Sequence, residues 1–338
     1  MTATTAAAKR SGKENILQAI NRALADALES DPSVLVLGED VADPEEGGVV
    51  GVTRGLSTRF GAQRVRSTPI SEQAIVGAAI GAALVGFKPV AEIMLMNFTT
   101  VAMDMIVNHA AKLRFMSGGQ TGVPIVIRTM TGTGFGTGGQ HCDYLEAWFA
   151  HTAGIKVVAP SNPQDAYGLM RSAIDDPDPV LFIENLPTYW NPGEAAEPGH
   201  RVPIGRANRL SEGGDVTIVT YARMVQEALP AVAKLAEQGI AAELIDLRSV
   251  APWDRDAVLA SVARTGRALV VHEAVTPFGV GAEISATLHE QLFHQLKAPV
   301  KRLGGAFCPV PFSKPLETAF APRTDDIVAA ARALVTPA

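Results

Sequence analysis

With 338 residues, 47% of them hydrophobic and only 19% charged, the chain has material for two domains of ordinary size, a large core and a buried subunit interface. A net charge of −6 and the lack of any basic block exclude a general nucleic-acid binder and a protein of anionic membranes. The longest uncharged apolar run, Gln73 to Phe87, is shorter than the ~20 residues of a membrane span. Two cysteines far apart, Cys142 and Cys308, provide no disulfide framework and fit a reducing compartment, so a cytoplasmic protein is expected.

Residues 1–12, MTATTAAAKRSG, lack the apolar core of a secretion signal and read as a disordered tail. A helical stripe follows from Asn15 to Glu29, then a short buried strand, Val34 to Leu37, ending in Gly38-Glu39-Asp40. A helix of small residues begins near Glu72, followed by a strand from Pro89 to Leu95, a helix from about Thr99 to Met116 and a strand from Pro124 to Thr129. A glycine loop, Thr131 to Gly139, precedes a helix near Asp143 to His151 and the strand Ile155 to Ala159. Pro163 suits the first turn of a helix running to Asp175, and Val180 to Glu184 closes the first domain, 13–186. Residues 187–203 carry too many prolines and glycines for a helix or central strand and serve as a linker.

The second domain, 204–338, repeats the alternation. Its strands are Val216 to Tyr221, Ala242 to Leu247, Ala268 to Glu273 and Val300 to Leu303, with helices between them. Pro230 predicts a late start or a kink in the first of those helices. Such alternation gives an α/β protein built from two parallel-sheet domains.

Glu72 stands out because Thr68-Pro69-Ile70-Ser71-Glu72 leads into QAIVGAAIGAALVGF, a run with no ionisable group. The alanines and glycines of that run call for close packing, and a carboxyl group at its mouth loses hydration, which favours the neutral form. Glu72 is therefore a general acid/base candidate. Taken alone, the commoner explanation is a first-turn carboxylate on a helix begun by Ser71.

The glycine loop satisfies G-x-G-x-x-G through Gly134, Gly136 and Gly139, but it is not in the first strand–helix unit, and Ala159-Pro160 stands where a ribose-binding acid belongs. Its glycines fit a backbone that passes close to a ligand or another chain. His141 ends the loop, a favoured place for an active residue, although a lone histidine is usually structural. Cys142 is discounted as its nucleophilic partner, because sequence neighbours rarely point at one another. His272-Glu273 reads more readily as a satisfied hydrogen-bonding pair than as a ligand site. Met94, Met96, Asn97 and Phe98 follow a strand as core filling or as an apolar wall for a flat heterocycle.

In order along the chain, LGEDV (37–41), TPISE (68–72), EIMLMNF (92–98), KLRFMSGG (112–119), VPIVIR (123–128), GGQH, EAWFAHTAGIKVVAPSNPQDAYGL, DLRSVAPWD (246–254) and FGVGAEI (278–284) resemble the beta subunits of the thiamine-diphosphate-dependent 2-oxo acid dehydrogenases. That family includes the pyruvate, branched-chain and acetoin dehydrogenases. The resemblance implies a pyrimidine-binding α/β domain followed by a transketolase-type C-terminal domain. It implies that Glu72 hydrogen-bonds the pyrimidine at N1′ and exchanges a proton there, with Ile70, Met94 and Phe98 lining the ring. His141 matches the histidine that assists at the substrate and the incoming lipoyl group, although His141-Cys142-Asp143 replaces the usual His-Ser-Gln.

The resemblance further implies an alpha subunit that carries Mg2+ and the other half of the cofactor, which accounts for the lack of a GDG-type diphosphate and magnesium motif here, in an assembly of two alpha and two beta chains serving a lipoyl acyltransferase core. The resemblance also implies a structural potassium ion at Ile125, Ala173, Ile174, Asp176 and Asp178. Two other readings stay open at this stage: a self-sufficient transketolase-like enzyme, and a non-catalytic scaffold that has kept the fold.

Overall fold

The computed structural model describes residues 12–336, so the expected tail lies, but for Gly12, outside the described residues. Fourteen strands are present among them: β1 Lys13–Asn15, β2 Val34–Gly38, β3 Val65–Ser67, β4 Lys88–Leu95, β5 Val126–Thr131, β6 Lys156–Val158, β7 Val180–Asn185, β8 Pro192–Glu194, β9 Asn208–Ser211, β10 Val216–Thr220, β11 Ala242–Asp246, β12 Ser249–Ala251, β13 Ala268–Val275 and β14 Lys301–Gly305. A seven-stranded sheet has the order β12-β6-β7-β5-β4-β2-β3, and a five-stranded sheet the order β14-β13-β10-β11-β9. Both are parallel except at one edge, where β12 and β9 run antiparallel to their neighbours. β1 and β8 form a separate antiparallel pair.

The pleat places alternate residues on opposite faces of the first sheet. Val90, Val126, Val180 and Phe182 meet the helices Ile16–Ser30 and Pro163–Asp175. Ala91, Ile127, Leu181 and Ile183 share a second core with Ile75, Val76 and Ala79 of the helix Glu72–Leu84, and that core continues into Val219, Val270 and Ile284 of the second half. The two halves are thus joined through common apolar contacts. Local signals hold at the helix starts: Asn15 forms a capping box with Gln18, and Asn162 caps the helix that Pro163 opens.

Several elements differ from the sequence reading. The expected helix Thr99 to Met116 is three pieces: a 3-10 turn, a π-helix at Asp104–Ala110 and a last turn at Leu113–Met116. The helix Arg223–Glu237 starts early and passes through Pro230, which is exposed and costs it one backbone donor. β3, β9 and β12 are strands of three or four residues, too short to show a period in sequence. β12 follows β11 in the chain yet joins the first sheet beside β6, which makes a second seam between the halves.

A buried cation sits at the centre of the first sheet. Arg128 on β5 reaches Glu92 on β4 at 2.5 Å and Glu184 on β7 at 2.6 and 2.9 Å, and Tyr189 donates its hydroxyl to Glu184. A charge this deep persists only when paired, and here one guanidinium satisfies two carboxylates on flanking strands.

Candidate active site

Four loops leave the carboxyl ends of β3, β2, β4 and β5, which lie side by side in that order. Ligands of open α/β sheets collect at such ends. Every catalytic and pyrimidine-lining candidate from the sequence is carried by one of these loops or by the last residues of its strand.

After β3, the Thr68 amide donates to the Gly38 carbonyl at 2.8 Å, tying this loop to the end of β2. Ile70 is 84% exposed, and Glu72 is the half-buried first residue of its helix. Ser71 stands at the cap position, but its hydroxyl makes no capping bond, so the simple helix-start account of this segment is incomplete. The small residues that called for close packing leave one helix face open: Ala74, Ala78, Gly81 and Leu84 are exposed, and nothing lies within 4 Å of a Cβ built on Gly81.

After β2, Glu39 is buried, and its Oε1 has no hydrogen-bond partner. Burial first, then the charges of Glu72 and Asp40, push its carboxyl above the usual range. Gly38 is needed here because a Cβ would stand 2.8 Å from the Glu92 side chain. At the end of β4, Met94 and Phe98 are half-buried, and the Phe98 ring meets the His141 ring edge-on with centroids 5.7 Å apart.

His141 stands on an arch from Gly139 to Asp143 whose feet both rest on Asn97. The Asn97 amide donates to the Gly139 carbonyl at 3.0 Å and to the Asp143 carboxylate at 2.9 Å, and its oxygen accepts from the Asp143 amide at 3.2 Å. Burial raises the Asp143 pKa, and the Asn97 bond opposes the rise. His141 Nδ1 is buried without a partner. Cys142 faces away from the histidine side: it is buried with Val310, Phe320 and Ala321, its sulfur lies 2.6 Å from the Thr137 hydroxyl, and burial raises its pKa. A buried thiol with a raised pKa is a packing group rather than a nucleophile.

The expected potassium residues gather at the opposite end of the sheet. The Ile125 carbonyl accepts from Val180, and the Ala173 carbonyl accepts from Asp176. Lys156 Nζ lies 2.6 and 2.7 Å from the Asp176 carboxylate and 3.3 Å from Asp178, which also pairs with Arg114. Among the described residues, no group of three or more His, Cys, Asp or Glu is placed to hold a metal ion.

Two residues of the candidate site carry no signal of their own in the sequence: Glu39, within the LGEDV motif, and Asn97, the support of the histidine arch. In sequence, His272-Glu273 reads as a self-contained pair. His272 is indeed packed, under Gly279, Gly281 and Gly304, and burial lowers its pKa to about 4. Glu273 instead reaches across to the glycine loop, accepting from the Thr133 amide and hydroxyl at 2.8 Å each and from Asn185 at 2.8 Å. No local pattern announces a contact between residues so far apart in the chain.

Comparison with known proteins identifies the family. The family "Transketolase, pyrimidine binding domain" matches residues 13–189, and "Transketolase, C-terminal domain" matches residues 205–327. The beta subunit of an acetoin:2,6-dichlorophenolindophenol oxidoreductase from Cupriavidus necator is 47% identical, covering 95% of this chain and 97% of its own length. A mitochondrial pyruvate dehydrogenase E1 component subunit beta-1 from Arabidopsis thaliana is 44% identical over 94% of this chain and 88% of its own. The 3-methyl-2-oxobutanoate dehydrogenase subunit beta of Mycobacterium tuberculosis is 45% identical over 93% and 89%. A solved split-gene transketolase, described as an inactive beta4 tetramer, shares the fold with a TM-score of 0.79 at 23% identity, covering 96% of this chain and 99% of that one. The chain belongs to the family of beta subunits of the pyruvate, acetoin and branched-chain 2-oxo acid dehydrogenases.

Proposed function

We propose that this chain is the beta half of an active site that decarboxylates a 2-oxo acid oxidatively, or cleaves acetoin, and passes the acyl group to a lipoyl domain. The observation that carries the reading is the convergence of Glu72, Glu39, Met94, Phe98 and His141 on the carboxyl ends of four adjacent parallel strands. Residues 13–186 and 204–338 are read as its two domains, joined by 187–203, in a protein of the cytoplasm.

The residues present fit the pyrimidine half of thiamine diphosphate. A buried carboxyl oxygen without a partner on Glu39, a half-buried Glu72 and the apolar side chains of Ile70, Met94 and Phe98 offer an acidic, apolar-walled cradle for a flat heterocycle. Thiamine diphosphate, when bound, supplies the electron sink that stabilises charge left by the departing carboxylate. Glu72 would hydrogen-bond the ring at N1′ and exchange a proton there, helped by a nearby acid, Glu39, whose own proton is held more tightly than usual. Ile70, Met94 and Phe98 would exclude water and lower the local dielectric. His141 would act at the substrate and the incoming lipoyl group.

The open face of the helix Glu72–Leu84 suits a partner that approaches the backbone closely, which we assign to an alpha subunit carrying the diphosphate and Mg2+ in a heterotetramer of two alpha and two beta chains. We assign the product acyl group to a lipoyl acyltransferase core. The carbonyls of Ile125, Ala173, Ile174, Asp176 and Asp178 would hold potassium; a higher Tm in KCl than in NaCl supports that assignment, and equal values count against it.

The test is Glu72→Gln, reconstituted with the partner alpha chain and assayed for decarboxylation with an artificial electron acceptor. Turnover is expected to fall on the order of 100-fold or more, as for removal of a general acid/base. Near-normal turnover would remove Glu72 from the mechanism. A panel of pyruvate, branched 2-oxo acids and acetoin on the wild-type pair then assigns the substrate.

A further inference from the structure

We propose that Glu317 is a positioning residue for acyl transfer, latching the glycine loop from the second half of the chain so that His141 is held at the carboxyl edge. The inference rests on the role given to His141 above.

Glu317 lies in the helix Lys314–Phe320 and is 2% exposed. Its Oε1 accepts the amide protons of Gly134 at 2.6 Å and Gly136 at 3.0 Å, and its Oε2 accepts from Gly136 at 3.2 Å. Gly134 and Gly136 have φ of +132° and +68°, a conformation that lets both amides point into one concavity. An ionised carboxylate in such a nest makes charge-assisted bonds, roughly twice as strong as neutral ones. Lys314, one turn earlier on the helix, donates to the Gly134 carbonyl at 2.9 Å and grips the loop from its other side.

The same segment continues along the loop. The Phe312 ring fills the space beside Gly138, where a Cβ would come within 2.5 Å of it. Val310, Phe320 and Ala321 enclose Cys142, the residue next to His141. Upstream, Glu273 holds Thr133, and Arg223 bridges the Thr133 carbonyl at 2.8 Å and Glu273 at 3.1 Å. A cavity of about 310 Å³ adjoins the loop at Thr133, Gly134 and Phe135, lined on its other sides by Arg223, Lys314 and Arg323.

His141 has little of its own to hold it. Its backbone amide bonds to Gly138, its ring leans on Phe98, and its Nδ1 has no partner. Its position therefore depends on the loop that leads into the arch as well as on the Asn97 bonds at the feet of the arch. A shift of about 1 Å in a reacting group can cost on the order of 100-fold, so a latch several residues away can govern the transfer step without touching substrate.

The experiment uses the chain assembled with its alpha subunit and measures two rates: acyl transfer to a lipoyl domain and turnover with an artificial acceptor. Glu317→Ala is expected to lower the ratio of transfer to artificial-acceptor turnover roughly 10- to 100-fold. Amide exchange at Gly134 and Gly136 should quicken in the same variant. Glu317→Gln keeps an oxygen for both amides and should restore most of the ratio. His141→Ala runs in parallel. If His141→Ala leaves acyl transfer to the lipoyl domain unchanged, the role of His141 is wrong; if His141→Ala lowers that transfer and Glu317→Ala does not, the latch is wrong. Parallel loss of both rates in Glu317→Ala, with a lower Tm, would show a purely structural residue and overturn the proposal. Should that variant fail to assemble, Lys314→Ala decides the matter: a lowered ratio supports the latch, and an unchanged one overturns it.

Discussion

The carboxyl edge of the first sheet and the seam between the two halves are both rich in carboxylates, but they are finished differently. At the edge, Glu39 leaves an oxygen without a partner, Ile70 stands exposed and the small-residue helix shows an open face. Along the seam, acids from one half reach donors in the other: Glu146 accepts from Tyr221 at 2.5 Å, Ser161 donates to Asp246 at 2.5 Å, and Glu273 and Glu317 take the amides of the glycine loop. Each of these acids finds a donor within this chain, although Glu146 Oε2 and Asn185 Oδ1 are also buried at the seam without a partner. The edge differs in that its orphan, Glu39 Oε1, lies at strand ends beside an exposed loop and an open helix face. Buried polar atoms are costly unless paired, so an orphan oxygen kept at a strand end points to a ligand, and a paired one to the fold.

If that division is right, activity and stability should separate. The largest effect is Glu72→Gln, with turnover down on the order of 100-fold or more and a Tm within a degree or two of wild type, measured by differential scanning fluorimetry. A large drop in Tm would move Glu72 from the edge to the scaffold.

Next comes Glu146→Ala on the seam, which leaves the Tyr221 hydroxyl buried without its acceptor. Urea titration of the isolated chain should show a loss of about 1–3 kcal/mol. An unchanged midpoint would mean that the seam is held by its apolar core alone.

The third test is pH. Burial pushes Glu146 to about 7, and Asp246 also to about 7, with the charge of Asp165 adding to burial in the second case. Each binds its proton more tightly folded than unfolded, so its stabilising contribution is complete below the ordinary carboxylate pKa and is lost as pH rises from about 4 to about 7. His272, lowered to about 4, works in the opposite sense: its contribution is present above about 6.5 and is lost as pH falls toward 4. Glu146→Gln should therefore gain on wild type as pH rises through that window, read as the difference between two urea series. A difference independent of pH would place the Glu146 pKa in the ordinary range.

The smallest effect is expected at Lys234→Ala, which removes an exposed pair with Asp325 and touches neither region. A change within about 0.5 kcal/mol makes it the control for the others.

Much of the fold was legible because it is written in local periods. The apolar runs of β2, β4, β5 and β7, the stripe of Ile16–Ser30 and the cap-and-proline start at Asn162-Pro163 each declare their element within a few residues. The candidate site was legible in part, because Glu72, Met94, Phe98 and His141 stand in ordered motifs that the fold brings to adjacent strand ends. The π-helical stretch Asp104–Ala110 was not, since nothing local distinguishes it from an ordinary helix.

The sequence by itself thus determined the alternation of strand and helix, the charge-free setting of Glu72 and the glycine loop that carries His141. Only the tertiary structure decided that β12 crosses to the other sheet, that Glu273 and Glu317 reach back to Thr133, Gly134 and Gly136, and that Glu39 is buried within reach of the Glu72 charge. The physical reason is range. Periodicity and capping act over a few residues, whereas the burial that shifts a carboxyl group and the geometry that aims it are set by segments more than a hundred positions apart.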